Sequence, residues 1–469
     1  MTSFDYVILG TGQALGTLLG KLIPTGKSIA VVEGARVGGS CVNYGCTPTK
    51  TLVASARAIH QARRGDEFGF RTSGLEVNYE RIRERMNSIR NGSTKGLTNW
   101  MESTDNVTLF RGWGHFVENR VIGIVHPDAG SDAGLDAVGT GPSTRITGET
   151  VFINTGTRPS APPIEGLDSV PWMDSAGLLD LEELPEHLLV LGGGYIGAEF
   201  SQIFRRFGSK VTLIQRSDRI MPGEDEDVSG ALNDILTAEG VRIRTGTETT
   251  RVGRTGSGGV VLDTNHGRLV GSHLLVAAGR KPNSDRLALE NTAIRTDSRG
   301  FIQVDDHCRT DEPGVFALGD VNGEGAFTHT AVNDAEIALD TLFGGTRTVS
   351  LRNSIYALFT DPPLGRVGLT EREALGAGHR VLKATRPMAK ISRAKEMSET
   401  QGFAKLLVDA DTDLVLGASV LGPGGDEIIN MFAAIMHSGI VCRNYRQVVL
   451  VHPTVSELMP FVLDGLEEV

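Results

Sequence analysis

The sequence predicts an α/β fold: two β-turn-α-β units of the dinucleotide-binding, Rossmann-like kind, followed by a C-terminal α+β segment. Three observations predict it. Residues 5–9 are apolar and β-prone and run into Gly10-Thr11-Gly12. Residues 188–191 do the same into Gly192-Gly193-Gly194-Tyr195-Ile196-Gly197 and then open a helical pattern. From about residue 351 the chain changes to short apolar runs separated by turns. Paired glycines after a strand permit a tight turn and let a pyrophosphate approach the N-terminus of the next helix.

Size and composition bound the rest. A chain of 469 residues is too long for one ordinary core, so two to four domains are expected. A hydrophobic content of 40% is ordinary for a globular protein, and the 59 glycines suit many strand–turn–helix junctions. The net charge of −11 argues against a nucleic-acid partner, which wants a basic face. No apolar run approaches the roughly 20 residues of a membrane helix. Residues 1–10 run straight into a strand without a basic start, so no signal peptide is expected and the location expected is cytoplasmic. Four cysteines in so long a chain do not make a disulfide framework, and a disulfide in a reducing compartment is a catalytic one.

In the first unit, a second strand at 28–32 ends in Glu33, placed to take a ribose hydroxyl pair. The third glycine of the fingerprint is missing: Leu15 stands there and Gly16 follows, which bears on how the helix packs on its strand. Next comes Gly38-Gly39-Ser40-Cys41-Val42-Asn43-Tyr44-Gly45-Cys46-Thr47-Pro48-Thr49-Lys50. On a regular helix, residues five apart have Cα atoms roughly 8–9 Å apart, whereas a disulfide needs less than about 7 Å. A Cys41–Cys46 bridge therefore requires an irregular turn, which Asn43 and Gly45 would permit. Such a bridge would be strained and reducible; the alternative is two separate buried thiols.

Residues 51–100 read as helical with a break near 68–78, and 107–110, 112–114 and 121–125 read as strands. The stretch 127–143, rich in Gly, Ser, Asp and Ala, reads as a hairpin excursion. Another strand leads into Thr155-Gly156, and 159–171 is a proline-bearing link. In the second unit, the strand at 211–214 is closed by Gln215 and followed by Arg216 and Arg219. An acid there reads the ribose of NAD, whereas an arginine accommodates a 2′-phosphate, so NADPH is favoured over NADH. A strand at 315–318 ends in Gly319-Asp320, and Phe327-Thr328-His329-Thr330 opens a helix. Beyond 351, strands near 356–359, 365–369, 403–408 and 414–421 suggest an antiparallel sheet, with a helix over 426–438 and then His452-Pro453-Thr454-Val455-Ser456-Glu457.

Over essentially the whole chain these motifs resemble the class I pyridine nucleotide–disulfide oxidoreductases, which include glutathione reductase, dihydrolipoamide dehydrogenase and mercuric reductase. The resemblance implies an FAD-binding domain at 1–156, an NAD(P)-binding domain at 157–282, a central domain at 283–349 and a dimerisation domain at 350–469. It implies that Gly10, Gly12, Glu33, Gly39, Ser40, Lys50, Gly114, Thr155, Gly156, Asp320 and His329 serve FAD. Gly192, Gly194, Tyr195, Gly197, Gln215, Arg216 and Gly279 would serve NADPH or NADH, with Tyr195 covering the flavin until nicotinamide displaces it. Cys41 and Cys46 would form the redox-active disulfide, Cys46 nearer the flavin and Cys41 the exposed attacking thiolate. Lys50 would pair with Glu199 beside the flavin N5. His452 and Glu457 would reach across a homodimer, so that each active site is shared between subunits.

The substrate expected is a small disulfide. Mercuric reductases carry a C-terminal cysteine pair, and this chain has no cysteine after Cys442, which makes metal reduction the second choice. Gly20 and Glu336 stand where glutathione reductases place arginines, so a disulfide other than that of glutathione, less anionic or even cationic, is expected. Gln215 counts against dihydrolipoamide dehydrogenase. A flavoprotein redox sensor is the alternative of a different class. No metal site is expected, and Cys308 and Cys442 read as ordinary residues.

Overall fold

The structure is a computed structural model and describes residues 1–126, 143–256 and 258–469. It divides into two compact units: Met1–Thr51, Arg83–Ala161 and Gly279–Arg352 make the first, and Leu52–Ile82, Pro162–Ala278 and Asn353–Val469 make the second. The expected segment 283–349 thus joins the N-terminal segment in one unit. Most of the expected excursion at 127–143 lies outside the described residues.

The first unit is built on a seven-stranded sheet. β1 (Thr2–Leu9) pairs in parallel with β2 (Ile29–Glu33) and β6 (Ser143–Ile153), and β2 pairs in parallel with β3 (Val107–Arg111). β6 also takes the short parallel strand Val315–Ala317 along its C-terminal half and antiparallel β5 (Val121–Val125) along its N-terminal half, with β4 (Trp113–Glu118) outside β5. Val7, Ile8, Ile29, Val31, Val151 and Phe152 are fully buried, as expected for strands covered on both faces. Burial of each such side chain contributes about 1.5–3 kcal/mol. Helix α1 (Ala14–Leu22) lies in the core cluster with Ile8, Val31 and Ala338. The Leu15 departure resolves here: Leu15 is 1% exposed and fills that core, so the side chain replaces the usual close backbone approach.

The cysteine segment is two helices. α2 (Gly39–Tyr44) stops at Gly45, whose φ of −133° and ψ of −115° no helix tolerates, and α3 (Cys46–Arg63) restarts on the next residue. Gly45 is the turn residue, as expected. Asn43 has another part: it is fully buried, its amide donates to the Val37 and Gly39 carbonyls at 2.9 and 3.0 Å, and its oxygen accepts from Thr94 at 2.9 Å. That last bond ties the segment to α4 (Tyr79–Glu102).

The second unit holds a five-stranded parallel sheet in the order Arg242–Arg244, Lys210–Ile214, His187–Leu191, His273–Val276, Trp172–Met173. A three-stranded antiparallel sheet accompanies it. The C-terminal part is the expected antiparallel sheet, of six strands, with the helix Gly425–His437 packed on it.

A buried charge cluster joins nucleotide-domain and C-terminal segments within this unit. Lys405, 1% exposed, donates to Asp225, Asp227 and Glu371 at 2.7, 2.7 and 2.8 Å. Those three carboxylates are close enough to hold a metal ion, but the ammonium already sits among them. Hydrogen bonds from Lys405 hold Asp225 and Glu371 below the ordinary carboxylate range against the opposing effect of burial. Depressed carboxylates stabilise the fold above their unfolded values of 3.8 and 4.5, and lose that contribution as pH falls through the lower folded values. Lys405→Met strands the carboxylates and is expected to cost about 3–5 kcal/mol at neutral pH. Urea denaturation should show the gap between variant and parent closing in acid, below the carboxylate range.

Candidate active site

In the first unit the Gly10–Gly12 turn is as tight as the chain allows. Gly10 has a φ of +92°, and a Cβ there would meet the Asn154 carbonyl oxygen at 2.5 Å. A Cβ on Gly12 would meet Asn154 Oδ1 at 2.8 Å, and one on Gly39, at φ +61°, would stand 3.0 Å from the Gly12 Cα. The cysteine segment therefore begins pressed against the nucleotide turn. Glu33 is buried and already engaged: one carboxylate oxygen accepts from the Thr11 N–H at 2.9 Å and from the Thr11 hydroxyl, the other from the Ala35 N–H at 2.7 Å. Each carboxylate oxygen can accept more than one bond, so capacity for a ribose remains. The Trp113 indole N–H, beside Gly34, is buried with no acceptor among the described residues. The absent Cβ of Gly114 leaves room for Leu9 and Val32.

The second FAD-type segment lies in the same unit. Asp320 accepts from the Thr157 hydroxyl at 2.8 Å, and Thr155 and Gly156 are bonded to Asn283, with open space around Gly156. His329 stacks on Phe327 at 5.4 Å, exposed at the start of the helix Thr328–Leu342. Ser40 is exposed on the first turn of α2. Tight glycines, an unanswered indole donor and open backbone at Gly156 fit the adenosine, pyrophosphate and ribityl parts of FAD.

The two cysteines come together in this unit as the dithiol. The Thr328 hydroxyl donates to Cys41 Sγ at 3.0 Å and lies 3.6 Å from Cys46 Sγ. Cys41 hydrogen-bonds with Cys46, and this together with burial pushes the Cys41 thiol up, opposed by the Thr328 donation. Cys41 is half-buried, beside Thr328 and Cys46, and Cys46 is exposed. Lys50 is half-buried on the second turn of α3.

The second unit brings its own residues together. Gly192 has a φ of +115° and a Cβ there would lie 2.4 Å from the Ala277 carbonyl; one on Gly197 would lie 1.9 Å from that of Gly192. Gly194, by contrast, faces open space within 4 Å, at the N-terminus of the helix Tyr195–Phe207, where a pyrophosphate fits. Gln215 accepts from the Gly193 N–H at 2.8 Å and donates to Ser217. Arg216 is exposed, and Arg219 Nε is buried with no acceptor among the described residues, a donor that suits a phosphate. Gly279 lies in the first unit, where its carbonyl accepts from the Ser160 N–H at 3.0 Å. Glu199 is 6% exposed and accepts the Phe359 N–H at 2.9 Å. His452 is exposed, and its Nδ1 lies 3.0 Å from both oxygens of Glu457, which leaves Nε2 facing outward. This is the orienting bond expected of the pair.

Thr328, Thr11 and Asn154 escaped the sequence reading. Thr11 had a signal, its place between two glycines; Thr328 had only a position next to His329. Among the described residues, no helix is long and apolar enough to cross a membrane.

Comparison with known proteins agrees with this geometry. Residues 4–335 match the family described as pyridine nucleotide-disulphide oxidoreductase, and 355–461 match that family's dimerisation domain. The chain is 35% identical over 462 residues to the probable pyridine nucleotide-disulfide oxidoreductase RclA of Escherichia coli, covering 97% of this chain and 98% of that one. It is 30% identical over 464 residues to dihydrolipoyl dehydrogenase 2 of Haloarcula marismortui, covering 97% and 95%. A solved structure, the Cu(II) complex of the HOCl-induced flavoprotein disulfide reductase RclA from Escherichia coli, superposes with a TM-score of 0.88 at 33% identity, over 99% of each chain.

The glycines of the second turn separate stability from binding. Gly197→Ala forces a methyl into the Gly192 carbonyl and is expected to destabilise the unit by about 1–3 kcal/mol. Gly194→Ala meets nothing in the protein, so it should leave the urea midpoint unchanged while weakening nucleotide binding in a calorimetric titration.

Proposed function

Because the chain belongs to the pyridine nucleotide-disulphide oxidoreductase family, whose members use FAD with a pyridine nucleotide, we infer that it reduces a low-molecular-weight disulfide other than that of glutathione. The observation that carries this is the Cys41–Cys46 dithiol gathered under one hydroxyl, that of Thr328. FAD, when bound, supplies the passage of an electron pair from reduced nicotinamide to the Cys41–Cys46 disulfide.

The chain's own residues do the remainder. Gly10, Gly12 and Gly39 bring backbone to the FAD pyrophosphate, and Glu33 and Asp320 offer acceptors to its hydroxyls. Lys50 and Glu199 are the charged pair proposed beside the flavin. Cys41, as thiolate, attacks one sulfur of the substrate; the substrate S–S bond breaks and a mixed disulfide forms. The departing thiolate takes a proton from His452 of the partner subunit, held in place by the partner subunit's Glu457. Cys46 then attacks Cys41, restores the internal disulfide and expels the second thiolate, which is protonated in turn. One dithiol and one disulfide thus give one disulfide and two thiols. The Thr328 hydroxyl, which already donates to Cys41, stabilises the charge when the thiol proton leaves.

NADPH is the proposed donor. Gln215 brings no negative charge, and Arg216 and Arg219 lie on the following loop. The low charge proposed for the substrate is supported at Glu336, which pairs with Arg347 at 2.9 Å, while Gly20 carries no charge.

A second reading is favoured by the relative solved as a Cu(II) complex. The same dithiol would give one electron to each of two Cu(II) ions, leaving the disulfide, two Cu(I) and two protons.

Nicotinamide oxidation in the presence of small disulfides, lipoamide, Hg(II) and Cu(II) distinguishes these readings. Cys41→Ser should keep its flavin spectrum and its reduction by NADPH, and lose disulfide turnover; full turnover would refute the scheme. His452→Ala should lower disulfide turnover by about 10²–10⁴-fold.

A further inference from the structure

Tyr195 is the first residue of the helix Tyr195–Phe207 and follows Gly194 directly. A dinucleotide laid across that helix N-terminus passes this side chain. The phenol is not loose. Its ring meets that of Tyr356 edge-on, with centroids 5.5 Å apart and planes at 81°. Its hydroxyl lies within hydrogen-bonding reach of both Tyr356 and Glu224. Tyr356, on the strand Ile355–Leu358, donates to Glu224 Oε1 at 2.6 Å.

The anchor behind these two rings is buried. Glu224 is 3% exposed and its second oxygen lies 3.5 Å from Arg366 Nη1. Arg366 is 2% exposed and is itself fixed by Ser419 at 2.7 Å and Asp225 at 3.2 Å. Asp225 in turn is held by Lys405. Glu224 closes the loop that begins at Gln215 and carries Arg216 and Arg219. One carboxylate therefore connects the loop at the adenosine end with the ring at the nicotinamide end. Burial, then the Glu224 charge, pushes the Tyr195 phenol up to about 12, so it keeps its proton throughout the physiological range and can give it to the Tyr356 oxygen while Tyr356 donates to Glu224.

We propose that Tyr356 and Glu224 act as a latch that holds Tyr195 across the nicotinamide's path, making Tyr356 a positioning residue that sets the affinity for the whole dinucleotide. This rests on the reading of Tyr195 as a displaceable cover. A ligand that must first free a tethered side chain binds more weakly, in proportion to the fraction of molecules in which that side chain is already free. The latch taxes the nicotinamide half alone, because the adenosine half never meets Tyr195.

The test is calorimetric, on the FAD-loaded protein, with oxidised NADP as the full ligand and adenosine 2′,5′-bisphosphate as its nicotinamide-free half. Tyr356→Phe keeps the ring and removes the hydroxyl. It should tighten NADP binding about threefold to tenfold, the range of one net hydrogen bond, and leave adenosine 2′,5′-bisphosphate unchanged. Glu224→Gln exchanges a charged acceptor for a neutral one and should tighten NADP by about half that energy, roughly twofold to threefold. It gives a second route to the answer should Tyr356→Phe lose its flavin or melt early. Tyr195→Ala should tighten NADP at least as much as Tyr356→Phe, and adding Tyr356→Phe to it should do nothing more. Unchanged or weaker NADP binding in Tyr356→Phe, or an equal change for both ligands, overturns the latch while leaving Tyr195 as a cover. A Tyr195→Ala variant that binds NADP as the parent does overturns the cover itself.

Discussion

Two sulfurs five residues apart meet only where the helix between them is broken, and the rest of the site depends on that break. Gly45 ends one helix and Cys46 begins the next. A continuous helix would hold the pair roughly 8–9 Å apart at the Cα atoms, out of reach of a disulfide. The break alone would leave a loose hinge. Asn43 fixes it from inside, spending its whole amide on Val37, Gly39 and Thr94. The same short segment starts at Gly39, pressed on the Gly12 backbone. The segment that carries the redox pair thus starts in close contact with the first nucleotide turn.

The helix Thr328–Leu342 completes that piece from a distant part of the sequence. Its first residue supplies the hydroxyl that reaches both sulfurs, and its N-terminal end carries the partial positive charge of unpaired N–H groups. Both effects favour a thiolate at Cys41. They oppose the burial and the Cys46 contact that hold the same thiol up. The raising influences win in the resting dithiol, so the Thr328 donation is what opposes them when the thiolate forms.

What the sequence made legible was local. Each glycine turn followed a strand and opened a helix, so its conformational need could be read from a few residues, and the His452–Glu457 pair lies within one short segment. What stayed hidden needed the fold. Thr328 approaches Cys41 across 287 positions, and Tyr356 reaches Glu224 across 132. Thr328 lies in a quoted segment, but nothing local says its hydroxyl reaches the cysteines, and a tyrosine on a strand suits many places. Leu15 looked like a defect in the first fingerprint because the pattern expects close backbone approach there; the fold uses the same position as core. Asn43 looked like a turn residue for the converse reason: asparagine tolerates unusual backbone, but here its amide matters and its backbone is helical.

The two nucleotide units make one bond in common, and comparing it separates structure from selectivity. In each, the residue between the first two glycines donates its N–H to the side chain that closes the second strand: Thr11 to Glu33, and Gly193 to Gln215. The bond braces the turn, so an acceptor at that position is required whatever the ligand. A carboxylate and an amide oxygen both satisfy it. They differ in charge, and only the charge reaches a nearby phosphate. Gln215 therefore keeps the brace while removing the repulsion that Glu33 would exert on a 2′-phosphate, and Arg219, with a buried donor unanswered, lies close along the chain to take one. In the proposed reading, the missing acid at Gln215 keeps a mechanical need that both turns share, so that the same turn geometry serves an adenosine without a 2′-phosphate in one unit and the proposed phosphorylated one in the other.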